Sequence, residues 1–210
     1  MGHGLDPAPT NDLGTGIVID DGTSPRTDVG TPGPVGMDSG GGSTNKSTAS
    51  IAQEVIAFAS QKMGSRHGNG ECFTLADDAL KKAGAKSAAD FGTVTEDADY
   101  VWGTAVKLGD VKPGDFIQFR NYQYVRTIKT TNADGSWSEK DNKEGRPHHT
   151  AIVDQVNGDG SLVVLEQNAR KGDPVARNTL FFKSGTTESG DTKTTIKVSG
   201  TVRFYRPQAR

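Results

Sequence analysis

His149-Thr-Ala-Ile-Val-Asp-Gln-Val156 and Ser161-Leu-Val-Val-Leu-Glu-Gln-Asn168, joined by Asn157-Gly-Asp-Gly160, read as two strands around a glycine-bearing turn. Strand side chains alternate faces, so Glu166 and Asn168 point one way and Gln167 the other. A turn centred between Gly158 and Asp159 pairs Ala151 with Glu166 and His149 with Asn168. Directly opposed side chains have Cβ atoms about 4.5–5.5 Å apart, and diagonal ones stay within reach of long side chains. An imidazole beside an amide and a carboxylate is an oriented proton acceptor, which makes His149, Glu166 and Asn168 candidate site residues. His148 has the opposite parity and belongs on the face of Thr150 and Ile152. An odd loop length would undo this alignment.

The second candidate lies upstream. Cys72, the one cysteine of the chain, follows the glycine-punctuated loop Ser65 to Glu71 and opens a helix running to Ala83. Its apolar stripe is Leu75, Ala76, Ala79, Leu80 and Ala83, and Gly84 is suited to end it. Unpaired amides and the positive end of the helix dipole favour a thiolate at such a start. A nucleophile is one reading of Cys72; a small buried apolar residue is the other. Cys72 with His67, His148 and His149 fits no standard zinc spacing, so neither metal nor cofactor is expected. His67 reads as an exposed loop residue.

Around these motifs, Ser47 to Met63 reads as a first helix, with Ser50 and Gln53 as a capping box and Ile51, Val55 and Phe58 at helical spacing. Asp99 to Gly103 reads as a turn of helix carrying two aromatics. Past Lys112-Pro-Gly-Asp115 the pattern is β: Phe116 to Lys129, a turn at Asn132 to Gly135, a returning arm at Ser136 to Ser138, the hairpin above, then Val175 to Lys183 and Thr194 to Tyr205. Helices first and an antiparallel meander after them indicate an α+β domain, with the helices packed on one face of the sheet.

The chain has 210 residues, with 24 basic and 26 acidic side chains. One domain is expected, and the near-neutral charge gives no footprint for nucleic acid. Residues 1 to 48 hold 11 of the 27 glycines and 5 of the 9 prolines. That composition reads as a flexible leader, ending in a linker at Gly40 to Asn45, with Gly16 to Asp20 able to form a short strand. The folded body is residues 49–210. No run of about 18 apolar residues appears, so no membrane span is expected. Met1 to Asn11 lacks the features of a secretory signal.

Gly70-Glu-Cys72-Phe-Thr-Leu-Ala-Asp-Asp-Ala-Leu80, Val111-Lys-Pro-Gly-Asp-Phe-Ile-Gln-Phe119, His149-Thr-Ala-Ile-Val153 and Leu165-Glu-Gln-Asn168 follow one another as in CHAP domains, the cysteine, histidine-dependent amidohydrolases/peptidases related to NlpC-type wall peptidases. The resemblance covers about 120 residues, from the first helix to Asn168. It implies a papain-like/NlpC-like fold, with the helices on an antiparallel sheet or half-barrel of about five to six strands. It further implies hydrolysis of a peptidoglycan amide through a thioester, by an N-acetylmuramoyl-L-alanine amidase or a stem-peptide endopeptidase. Cys72 matches the family nucleophile, His149 its base, and Glu166 and Asn168 its orienting pair. The implied partners are a stem peptide or glycan-peptide substrate and an immunity or export factor, and the chain is expected to act as a monomer. Without a signal peptide, the expected course is synthesis in the cytoplasm and action on the wall after lysis or dedicated export. The alternatives are an exported effector hydrolase or acyltransferase acting on a protein, and a non-catalytic wall-binding domain. Two departures bear on substrate access: the charged segment from Asn121 to Pro147, which reads as an insertion, and His148, where a glycine is frequent.

Overall fold

The computed structural model describes residues 17–19 and 46–210. Most of the leader, including the linker at 40 to 45, therefore lies outside the described residues. Two α-helices are present among them, α1 (Thr48–Gln61) and α2 (Cys72–Lys82). The strands are β1 (Ile17–Ile19), β2 (Thr104–Val106), β3 (Phe116–Thr131), β4 (Trp137–Val156), β5 (Leu162–Glu166), β6 (Ala176–Leu180), β7 (Gly185–Ser189) and β8 (Thr192–Arg206).

The helix ends follow local chemistry. Ser47 rather than Ser50 caps α1: its Oγ accepts the Ser50 amide at 3.2 Å, while the Ser50 hydroxyl donates to Ser47 O. α2 ends with Gly84 at φ 69°. The Gly84 amide donates to Lys81 O and the Ala85 amide to Leu80 O, which satisfies two terminal carbonyls.

The sheet is larger and less uniform than expected. Its order is β1-β8-β3-β4-β5-β6, with β2 and β7 also on β8; β1 pairs with β8 in parallel and every other pairing is antiparallel. An eight-stranded mixed sheet thus replaces the anticipated antiparallel sheet of five to six strands beneath a helical layer. The charged segment from Asn121 to Pro147 is part of the sheet. Its residues continue β3 and β4 as a long paired arm, from Tyr122 opposite Arg146 to Thr131 opposite Trp137. Side chains exposed on both faces carry no alternation, so nothing in the residue pattern marked Ser138 to Lys143 as strand. β2 and β7 are three and five residues long, and Asp99 to Gly103 is irregular rather than helical.

Alternation along β3 and β4 divides the interior in two. Phe116, Ile152 and Leu165 face the helices and pack with Ile51, Val55, Leu75, Ala79, Leu80 and Trp102. Ile117, Phe119, Ala151, Val153 and Val164 face the other way and pack with Tyr122, Phe182, Val202 and Phe204. Phe119 and Tyr122 are three residues apart yet share this second cluster, so the alternation is reset between them. The reset lies at Asn121, where φ is 53° and the β3–β8 register slips. Opposite it, Gly200 has φ 104°, and a Cβ there would lie 2.3 Å from Asn121 O; only glycine fits.

Candidate active site

Three segments meet at the α2 amino terminus. Cys72 is the first residue of α2 and is half-buried. The loop before it is tied to the end of β5 by Gln167: Gln167 Oε1 accepts the His67 amide at 3.0 Å, and Gln167 Nε2 donates to His67 O and Glu71 O. Gln167 points away from Glu166, as strand alternation requires. One turn of chain therefore holds the cysteine loop with one side chain and the histidine with the next.

His149, only 4% exposed, is close enough to Cys72 for each to shift the other's proton affinity. Its Nε2 is 2.8 Å from Glu166 Oε2, off the line of the ring N–H, so charge holds the ring more than an aligned hydrogen bond does. Glu166 is buried and its oxygens are fully engaged. Arg146 Nε donates to Oε2 at 2.9 Å, while Arg146 Nη2 and Asn178 Nδ2 donate to Oε1. Arg146 Nη1 donates outward to Gly145 O and Glu144 Oε2, and Glu144 in turn pairs with Arg170.

The titrations follow from these contacts. Burial opposes ionisation of Cys72, but the adjacent His149 and the amides of Thr150 and Phe73 outweigh it, and the thiol is shifted down. Burial likewise opposes charge on His149, yet Cys72 and Glu166 push it up to about 9. Against its own burial, Glu166 is pulled to about 2 by Arg146 and His149. Both shifts run toward a thiolate–imidazolium pair, with the Glu166 carboxylate held ionised behind it.

The sulfur opens on a cleft of about 340 Å³ lined by Asn69, Glu71, Phe73, Tyr100, Gln118 and His148, with two further residues of β4. Asn168, at φ 60°, turns out of the strand. Its Nδ2 donates to Glu71 Oε2 and its Oδ1 accepts the Gly172 amide, so both amide atoms are engaged away from the imidazole. The ladder itself ends with Ile152 opposite Leu165, three residues short of a His149–Asn168 pair. His148 Nε2 lies 2.8 Å from Ala98 O beside the Tyr100 ring, and His67 Nε2 lies 2.8 Å from Asp78 Oδ2. Among the described residues no group of three His, Cys, Asp or Glu side chains is placed to hold a metal ion. No helix there is long and apolar enough to cross a membrane.

Arg146 and Asn178 are the site-linked residues that the pattern of residues did not reveal. Period-two counting puts residue 146 on the face of His148, away from His149. Arg146 and His149 nevertheless both reach Glu166, and Arg146 pairs with Tyr122, next to Asn121 where the alternation of β3 is reset.

Residues 43–210 match the family model of the AIM3/BBC1 cysteine proteinase-fold domain. The chain is also similar to altered inheritance of mitochondria protein 3 of Debaryomyces hansenii: 30% identical over 130 residues, which is 56% of this chain and 13% of that protein. No solved structure matches. These findings overturn the wall-directed reading. The family is not that of the CHAP and NlpC peptidoglycan hydrolases, and the relative is a yeast protein, so peptidoglycan cleavage, lysis, wall binding and effector export are withdrawn. The physical reason is that the shared motifs describe a scaffold: a cysteine at a helix start facing a histidine on a strand is common to papain-like domains, whatever bond they meet. The chain belongs to the AIM3/BBC1 cysteine proteinase-fold domain family.

Proposed function

We propose that this domain, residues 49–210, is a thiol-dependent hydrolase of amide bonds in peptide or protein chains. One observation carries the reading: a sulfur with lowered proton affinity beside an imidazole with raised proton affinity, at the floor of an open cleft. In a chain with one cysteine, that pairing is the arrangement nucleophilic catalysis requires.

The Cys72 thiolate attacks the carbonyl carbon, forming a C–S bond, and the carbonyl oxygen takes up the negative charge. The first turn of α2 supplies amides without intrahelical partners, and the Cys72 N–H serves as a donor to that oxygen. Collapse of this intermediate breaks the C–N bond, and the His149 imidazolium gives its proton to the departing amine. The neutral imidazole then takes a proton from water, whose oxygen attacks the thioester. Collapse releases a carboxylic acid and the Cys72 thiolate, and the proton remains on His149. Glu166 stays ionised throughout and keeps the ring in position.

The test is turnover of a fluorogenic peptide library by the purified chain and by Cys72→Ala. Turnover is expected to fall by ~10⁴-fold or more in the variant, with the fold unchanged by circular dichroism. Equal turnover by Cys72→Ala would falsify the reading. So would a wild-type chain that cleaves nothing and whose thiol alkylates with an ordinary pH midpoint.

A further inference from the structure

We infer that Arg146 is a positioning residue of this site, fixing Glu166 as an ionised, two-pronged brace for His149; the inference rests on the thiol-hydrolase reading above. Arg146 and Glu166 are both essentially excluded from solvent. The guanidinium presents Nε to one carboxylate oxygen and Nη2 to the other, so the carboxylate cannot rotate about its axis. The oxygen that meets Nε is the one that meets His149 Nε2. Outward bonds from Nη1 to Gly145 O at 2.8 Å and to Glu144 anchor the guanidinium from behind.

The charge count gives Arg146 a second effect. Cys72, His149, Glu166 and Arg146 together are neutral whether the first two stand as thiol and imidazole or as thiolate and imidazolium. Without the guanidinium the same buried group carries one net negative charge, which the interior tolerates poorly. A proton is then retained, either on Glu166 or on the sulfur beside an imidazolium. On the sulfur it removes the thiolate directly; on Glu166 it removes the charge that holds the proton on His149, so the thiolate loses its imidazolium partner at lower pH. Asn178 touches the same carboxylate without charge and separates the two effects: losing it costs a hydrogen bond and leaves the charge count alone.

Because Cys72 is the only thiol, alkylation of the whole chain by iodoacetamide reports this site directly, with no substrate needed. The rate is measured against pH for wild type, Arg146→Met, Arg146→Lys and Asn178→Ala, each checked for folding by thermal melt. Arg146→Met is expected to raise the midpoint by about one unit, a ~10-fold slower reaction on the acid side. Arg146→Lys keeps the charge but loses the fork and falls between the two, and Asn178→Ala keeps the wild-type midpoint. A folded Arg146→Met with the wild-type profile overturns the inference. If that variant does not fold, an Arg146→Lys profile indistinguishable from wild type overturns it instead. A wild-type midpoint already near 8.5, the value of a free thiol, defeats the hydrolase reading itself before any variant is compared.

Discussion

At the level of single residues, the proposed hydrolysis has its working range set by the proton shared between Cys72 and His149. The proposed mechanism requires the thiolate and the imidazolium together, so kcat/KM should follow a bell-shaped pH profile. Its alkaline limb should lie near 9, where His149 gives up its proton. Glu166→Gln removes a carboxylate that raises the imidazole, so this limb should move to lower pH; an unmoved limb would show that Glu166 does not act on the ring. The same carboxylate couples to stability. Its folded value near 2 lies below the ordinary 4.5, so its contribution is present above 4.5 and is lost as pH falls from there toward 2. Denaturant titrations should show wild type losing stability across that window and Glu166→Gln losing less. At neutral pH the variant should be less stable by about 3–5 kcal/mol, because it leaves the buried Arg146 charge with only the more exposed Glu144 as counter-charge. Cys72, His149 and Glu166 were legible from helix-start chemistry and strand parity. Arg146 was not, since parity counting assumes an unbroken pleat and the pleat is reset beside it at Asn121. Asn168 was assigned by extending the ladder three residues past its end, to a position where a left-handed backbone turns the chain away.

At the level of elements, the tie between the end of β5 and the loop before α2 sets where the sulfur sits. Gln167 makes three hydrogen bonds to that loop, one accepted and two donated. Gln167→Ala should cost about 1–3 kcal/mol by leaving buried backbone groups unsatisfied. It should also speed amide hydrogen exchange between residues 67 and 72 and slow alkylation of Cys72, while exchange in β3 stays as in wild type. Fast exchange throughout the sheet would instead mean that Gln167 supports the whole fold. The site-bearing hairpin and α2 were readable because each carries its own period and its own end signals. The outer half of β4 beyond Ser138 was not. Backbone pairing with β3 sustains the stretch from Ser138 to Lys143, and its exposed charged side chains obey no period. Very short strands such as β2 exist only because β8 offers them an edge.

At the scale of the whole molecule, the sheet separates two packed interiors, and the site sits at the seam. Cys72 approaches from the helix side, whereas His149 rises from the face it shares with Ala151 and Phe119. The helix-side interior was the part expected from composition. The second required knowing that Tyr122 and Phe182 turn inward together, a long-range fact that no local pattern carries. The flank of β8 away from β3 is divided among β2, β1 and β7, which cover Phe204–Arg206, Gly200–Val202 and Thr192–Ile196 in turn. Open strand flanks recruit other chains, and this one is shut by three separate patches rather than one long neighbour. Removing residues 1–24 would lift the middle patch and bare the backbone of Gly200 to Val202. Sedimentation velocity on the shortened chain should then show self-association that grows with concentration, relieved by adding back a synthetic Gly16–Asp20 peptide. A shortened chain that associates no more than the full chain would mean the two remaining patches suffice to keep copies apart.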